Sequence, residues 1–143
     1  MDAMNTHRIR TLSLSCALLL ALAAAPASAQ LAKDAAVKKS EAILKNLQDG
    51  KTADIVKEFD ATMTGALPEA KLKEVWVGLG DQVGAFKSVD DRREGMIQGI
   101  QAVELILSFE KAKLVMRTAF DKEGKVSGLF FQPVDKAVLP AGK

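Results

Sequence analysis

Nucleophilic and metal chemistry usually begin from His, Cys, Tyr, Ser and the carboxylates, and this 143-residue chain has one His, one Cys and no Tyr. His7 and Cys16 both stand near the amino terminus. Beyond residue 29 the serines are Ser40, Ser88, Ser108 and Ser127, none in a Gly-x-Ser-x-Gly elbow and none with a histidine to take its proton. A hydrolase triad is thereby excluded from that part of the chain, and with it a metal site built on His or Cys. Among the carboxylates, Asp60 is the best candidate for chemistry. It follows Phe59 at a helix end and precedes an apolar stretch holding Met63 and Leu67, so it could serve as the general base of a small lyase or isomerase. The plainer role is a turn cap, in which an Asp accepts backbone N–H bonds. Met63 and Trp76 complete the candidate ligand-binding set, although Trp76 also fits a helical core stripe.

Asp90, Asp91 and Glu94 form the one acidic cluster that a calcium ion could use. Arg92 and Arg93 stand inside it, and the spacing is not that of an EF-hand loop. A solvated hairpin is the simpler reading, and no metal or cofactor is expected.

The elements that position these residues lie behind a leader. Residues 1–29 read as a secretory signal peptide: Arg8 and Arg10, an apolar run from Leu12 to Ala25, a break at Pro26, then Ala27-Ser28-Ala29. Cleavage after Ala29 would leave 30–143 as one cysteine-free domain, periplasmic or secreted from a bacterium. The formal charge of the whole chain is only +2. That argues against nucleic acid, which asks for a basic stripe. No second apolar run approaches the ~20 residues of a membrane span.

The remainder divides into a helical half and a strand-rich half, the order of an α+β domain. Helices are expected over about Asp34–Leu47, Thr52–Phe59 and from Pro68 to about Val83, the last carrying Leu72, Val75, Trp76, Leu79 and Val83 at helical spacing. From Phe86 the period falls to two. Strands are expected over Phe86–Gln98, Val103–Glu110, Lys113–Phe120 and Val126–Gln132, with Asp121–Gly124 as a hairpin turn.

Register follows from the turns. A two-residue turn at Glu110-Lys111 sets Leu107 against Leu114, Leu105 against Met116, Val103 against Thr118, and Glu104 against Arg117. A three-residue loop closed by Gly124 would bring Phe130 to the apolar face with Val103, Leu105, Leu107, Phe109, Leu114, Met116 and Phe120. It would place Leu129 and Phe131 on the other face with Glu104, Ile106, Val115 and Arg117. That second face is too apolar for open solvent, and a second copy of the chain is the economical cover. Those six residues are the expected homodimer interface.

Three helices packed on a curved antiparallel sheet of about four strands resembles the cystatin-like, nuclear-transport-factor-like α+β group, a cone of helices over sheet. Three segments resemble a small bacterial domain of unknown function: Phe59–Met63; Ala66-Leu67-Pro68 with Leu72 and Trp76; and Phe120-Asp121 with Gly128–Phe131. The resemblance spans about residues 52–133. It implies a domain that occurs alone in secreted proteins and also ahead of α/β-hydrolase domains in lysophospholipase-like enzymes. Related folds sometimes hold a buried acid in the cone, the place Asp60 would take, but no family catalytic residue carries over. The expectation is a non-enzymatic module that binds a small molecule or protein and dimerises through its sheet. The alternatives are an Asp60-dependent enzyme or an accessory to a separate hydrolase.

Overall fold

The computed structural model describes residues 30–142; the expected leader and cleavage position lie outside the described residues. Helix α1, Lys33–Gln48, buries Ala36, Ser40, Ile43, Leu44 and Leu47 along one side. That spacing presents one stripe to the core. Helix α2, Thr52–Val56, is short, and α3, Ala61–Ala66, follows it. Helix α4, Glu69–Val83, begins after Pro68 and ends at Gly84, whose φ of 82° is open to glycine. A Cβ there would also lie 2.6 Å from the Glu110 carboxylate.

Among the described residues, four strands make one antiparallel sheet in the order β1 (Phe86–Ile97), β2 (Ile100–Phe109), β3 (Lys113–Phe120), β4 (Val126–Pro133). The α+β class holds, with four α-helices among the described residues rather than three. The expected second helix stops at Val56, and Phe59 forms a bridge to Val126 instead. The added helix α3 is six residues containing a Gly and two Thr. Too short to display a period, it is held by its cap and by buried Met63.

β1 and β2 join through Gln98 and Gly99, with φ of 51° and 81°. Two successive positive φ values match the twist of a two-residue hairpin and start β2 at Ile100, earlier than alternation suggested. The β2–β3 register is the expected one: Val103 faces Thr118, Glu104 faces Arg117, Leu105 faces Met116 and Leu107 faces Leu114.

The β3–β4 register is not. The loop closes as expected, with Asp121 and Lys125 bonded across it. Phe120 then pairs with Val126, while Ala119 pairs with Gly128. Ser127 is an extra residue, a bulge that turns every later side chain to the opposite face. Leu129 is therefore buried among the helices and Phe131 packs against that core. Phe130 pairs with Arg117 on the second face and is half exposed.

The apolar core fills the space between the helices and the first face: Ile43, Leu44, Leu47, Ile55 and Leu72 meet Val103, Leu105, Leu107, Met116 and Phe120. The second face is covered from within the chain. After a 3-10 turn at Val134–Lys136, the C-terminal segment lies over it, with Leu139 buried. The cover assigned to a second copy is thus supplied by residues 134–142 of the same chain.

Candidate functional site

One row of side chains crosses the second face from strand to strand. Arg93 on β1 pairs with Glu104 on β2, Glu104 with Arg117 on β3, and Arg117 with Phe130 on β4. The row reads plus, minus, plus, aromatic. Glu104 has no exposed surface, whereas the Arg117 side chain keeps 18%.

The Glu104 carboxylate is saturated with donors. Its Oε1 accepts from Arg117 Nε at 2.9 Å and Nη2 at 2.6 Å. The main-chain N–H of Val138 reaches Oε1 and Oε2 at 3.0 and 3.1 Å, and the N–H of Leu139 reaches Oε2 at 2.9 Å. A buried carboxylate is tolerable because the guanidinium and these amides replace its water.

The arginines hold the same segment by its carbonyls. Arg117 Nη2 donates to Lys136 O at 2.8 Å, and Arg93 Nη1 donates to Leu139 O at 3.0 Å. The segment is extended at Ala137, with φ −62° and ψ 131°. It crosses β3, β2 and β1 in turn, as a strap laid over the sheet. Leu139 sits against Gly95, where a Cβ would come within 3.0 Å of its side chain. Main-chain atoms therefore supply the polar contacts, and Leu139 is the one large side chain the strap buries.

The flank of the row is a second polar cluster. Asp90 accepts from Ser88, Ser108 and Lys113 Nζ, the last at 2.6 Å. Lys113, followed by the two serine hydroxyls, holds its carboxyl down to about 2. Asp91 is also lowered, chiefly by its bond to Arg93. Glu94 turns the other way, towards Lys33 and Gln101. The acids expected together as a solvated cluster are split between the faces by strand alternation and by a bulge between Val89 and Asp91.

Of the expected interface, Glu104, Ile106, Val115 and Arg117 do share the second face, and Glu104 and Arg117 hold the strap there. Leu129 and Phe131 belong to the helix side. Asp60 is the N-cap of α3, its Oδ1 accepting the Met63 N–H at 2.6 Å. Met63 is buried in the core. Trp76 packs on Phe109 and Phe131 with ring centroids 6.2 and 5.8 Å away. The structure thus engages the three side chains separately: one in a cap, one in the core, one in an aromatic cluster. A cleft of about 250 Å³ lies elsewhere, at the β1–β2 hairpin end, walled by Ile100, Gln101, Phe120 and Ser127. Among the described residues no group of three His, Cys, Asp or Glu could hold a metal ion, and no helix is long and apolar enough to cross a membrane.

Sequence reasoning missed Arg93, Phe130 and the strap. Leu139-Pro140 was the available signal, an apolar residue and a rigid one in an otherwise unpatterned tail.

Residues 40–129 match the model of a family described as "Protein of unknown function (DUF3887)", and the chain belongs to that family. Glu104 and Arg117 fall inside the matched span; the strap follows it. No curated protein and no solved structure matches the chain.

Proposed function

We propose that this DUF3887 domain is a non-enzymatic, exported binding module whose ligand is an extended polypeptide segment laid across the second face of its sheet. One observation carries the reading: the Arg93–Glu104–Arg117 row already holds such a segment, the chain's own residues 136–139, by its backbone amides and carbonyls. Backbone contacts with one anchoring side chain are the chemistry of peptide grooves, in which affinity comes from the main chain and selectivity from a pocket. Here the pocket is the space over Gly95, which suits leucine.

The strap occupies the groove intramolecularly, at an effective concentration that a free peptide must exceed. A chain ending at Gln132 should therefore bind a fluorescent peptide of residues 134–143 saturably, and the intact chain should bind it far more weakly. Adding Glu104→Ala to the shortened chain should remove binding. A shortened chain with native Trp76 emission that ignores the peptide would overturn the reading.

Export rests on the leader pattern of residues 1–29, and a periplasmic product whose mass begins at Gln30 would support it. The layout of helices on one face of an antiparallel sheet supports the likeness to the cystatin-like, nuclear-transport-factor-like group. An accessory role beside a hydrolase rests on the motif resemblance alone.

A further inference from the structure

We propose that the free edge of β4 is a self-association surface, at which two copies pair antiparallel about a two-fold axis through Phe130 and join their sheets into one of eight strands. The inference concerns the rim of the sheet, where Phe130 ends the row that crosses the second face.

The two edges of the sheet are unlike. β1 carries Asp90, Asp91, Arg92, Arg93 and Glu94 and is bulged twice. Charges and bulges of this kind blunt an edge against further pairing. β4, with the sequence VSGLFFQP, carries no charge. Among the described residues its start alone is hydrogen-bonded from outside the sheet: Val126 donates to Glu58 O at 2.8 Å and accepts from Asp60 N at 2.9 Å. From Gly128 to Gln132, among the described residues, no main-chain group bonds outside the sheet. Pro133 then turns the chain off the edge and into the strap. The open stretch is five residues, an ordinary strand length.

Phe130 stands at its centre, 49% exposed. Its ring lies over Gly128, so close that a Cβ there would be 2.7 Å away. Antiparallel pairing about Phe130 sets the two Phe130 rings opposite each other on the same face, and Leu129 of each copy opposite Phe131 of the other. Aromatic cross-strand pairs are among the favourable ones, and an uncharged strand meets its copy without repulsion. The five open residues are far fewer than the roughly 20 residues a side of a standard stable interface, so the dimer should be weak and reversible.

Sedimentation equilibrium of the protein, expressed with its own leader and purified, should show a monomer–dimer equilibrium between about 1 and 200 μM. Phe130→Glu, which sets like charges opposite each other at the axis, should weaken it roughly tenfold or more while leaving the exposed site's fold intact. Phe130→Cys should give an oxidised cross-linked dimer, because symmetry pairs the position with itself; Val138→Cys on the strap should not. A strict monomer over that range would overturn the proposal. A dimer unchanged by Phe130→Glu, or cross-linked only from the strap, would overturn it by placing the contact on the face.

Discussion

Glu104 and Arg117 face each other across β2 and β3, and the carboxylate that receives the guanidinium also receives the N–H groups of Val138 and Leu139. One buried charge thus ties two strands and the strap together. Its partner is pulled the same way, since Arg117 also donates to Lys136 O. The strap is held through the ion pair.

Glu104→Gln should therefore do more than remove a surface bridge. It leaves the Arg117 charge without its counter-ion beneath the strap, and should lower stability by roughly 3 kcal/mol in urea melts followed by Trp76 emission. Glu104→Leu combined with Arg117→Met should cost less than either change alone. If the double variant instead shows the sum of the singles, the pair is not coupled as described.

Amide exchange reads the strap directly. Val138 is exposed, yet its N–H should exchange slowly because it is bonded to Glu104, as should that of Leu139. In Leu139→Ala both should exchange faster, at a stability cost of about 2 kcal/mol. Exchange of the Leu114 and Met116 amides should stay as in the parent, since the core lies on the far side of the sheet.

Asp60 should behave as a cap. Asp60→Ala removes the acceptor for the Met63 N–H, and should cost about 1 kcal/mol with little loss on Asp60→Asn, because Asn caps nearly as well. Thermal melts distinguish this from general-base chemistry, for which the Asn variant would be the damaging one.

Asp90 gives an acid-side signature. Its carboxyl is held down to about 2, first by Lys113, below an unfolded value of about 3.9. A folded value below the unfolded one means a contribution fully present above about pH 5, and lost as the pH falls through about 2. The difference in Tm between the parent and Asp90→Asn should be largest near neutrality and should close in strong acid. A constant difference at every pH would assign the effect to the neutral hydrogen bonds to Ser88 and Ser108.

Much of this fold was legible where a period or a turn residue could speak. The α1 stripe, the α4 start at Pro68 and the Glu104–Arg117 pairing all follow from spacing and loop length. What was hidden had no period. Helix α3 depends on one cap and one buried Met, and the strap has a single buried anchor, Leu139, in a short tail that shows no alternation. The site was half read: four residues of the face were identified, but their cover was looked for in a second copy because nothing in the residues after Pro133 forecasts backbone contacts to Glu104.

The remaining misreading isolates one residue and yields the sharpest test. Counting from Gly124 puts Phe130 inside, and the count fails because Ser127 is bulged out between Phe120–Val126 and Ala119–Gly128. Deleting Ser127 should restore the regular ladder and turn Leu129 and Phe131 outward, with Phe130 inward. Two side chains would leave the core for one gained, and Trp76 would lose its 5.8 Å contact with Phe131. A loss of at least about 3 kcal/mol follows from the emptied Leu129 site, a large share of the 5–15 kcal/mol typical of a domain. Ser127→Ala, which keeps the extra residue, should be nearly silent. If the deletion is as mild as the substitution, the bulge does not set the register of β4.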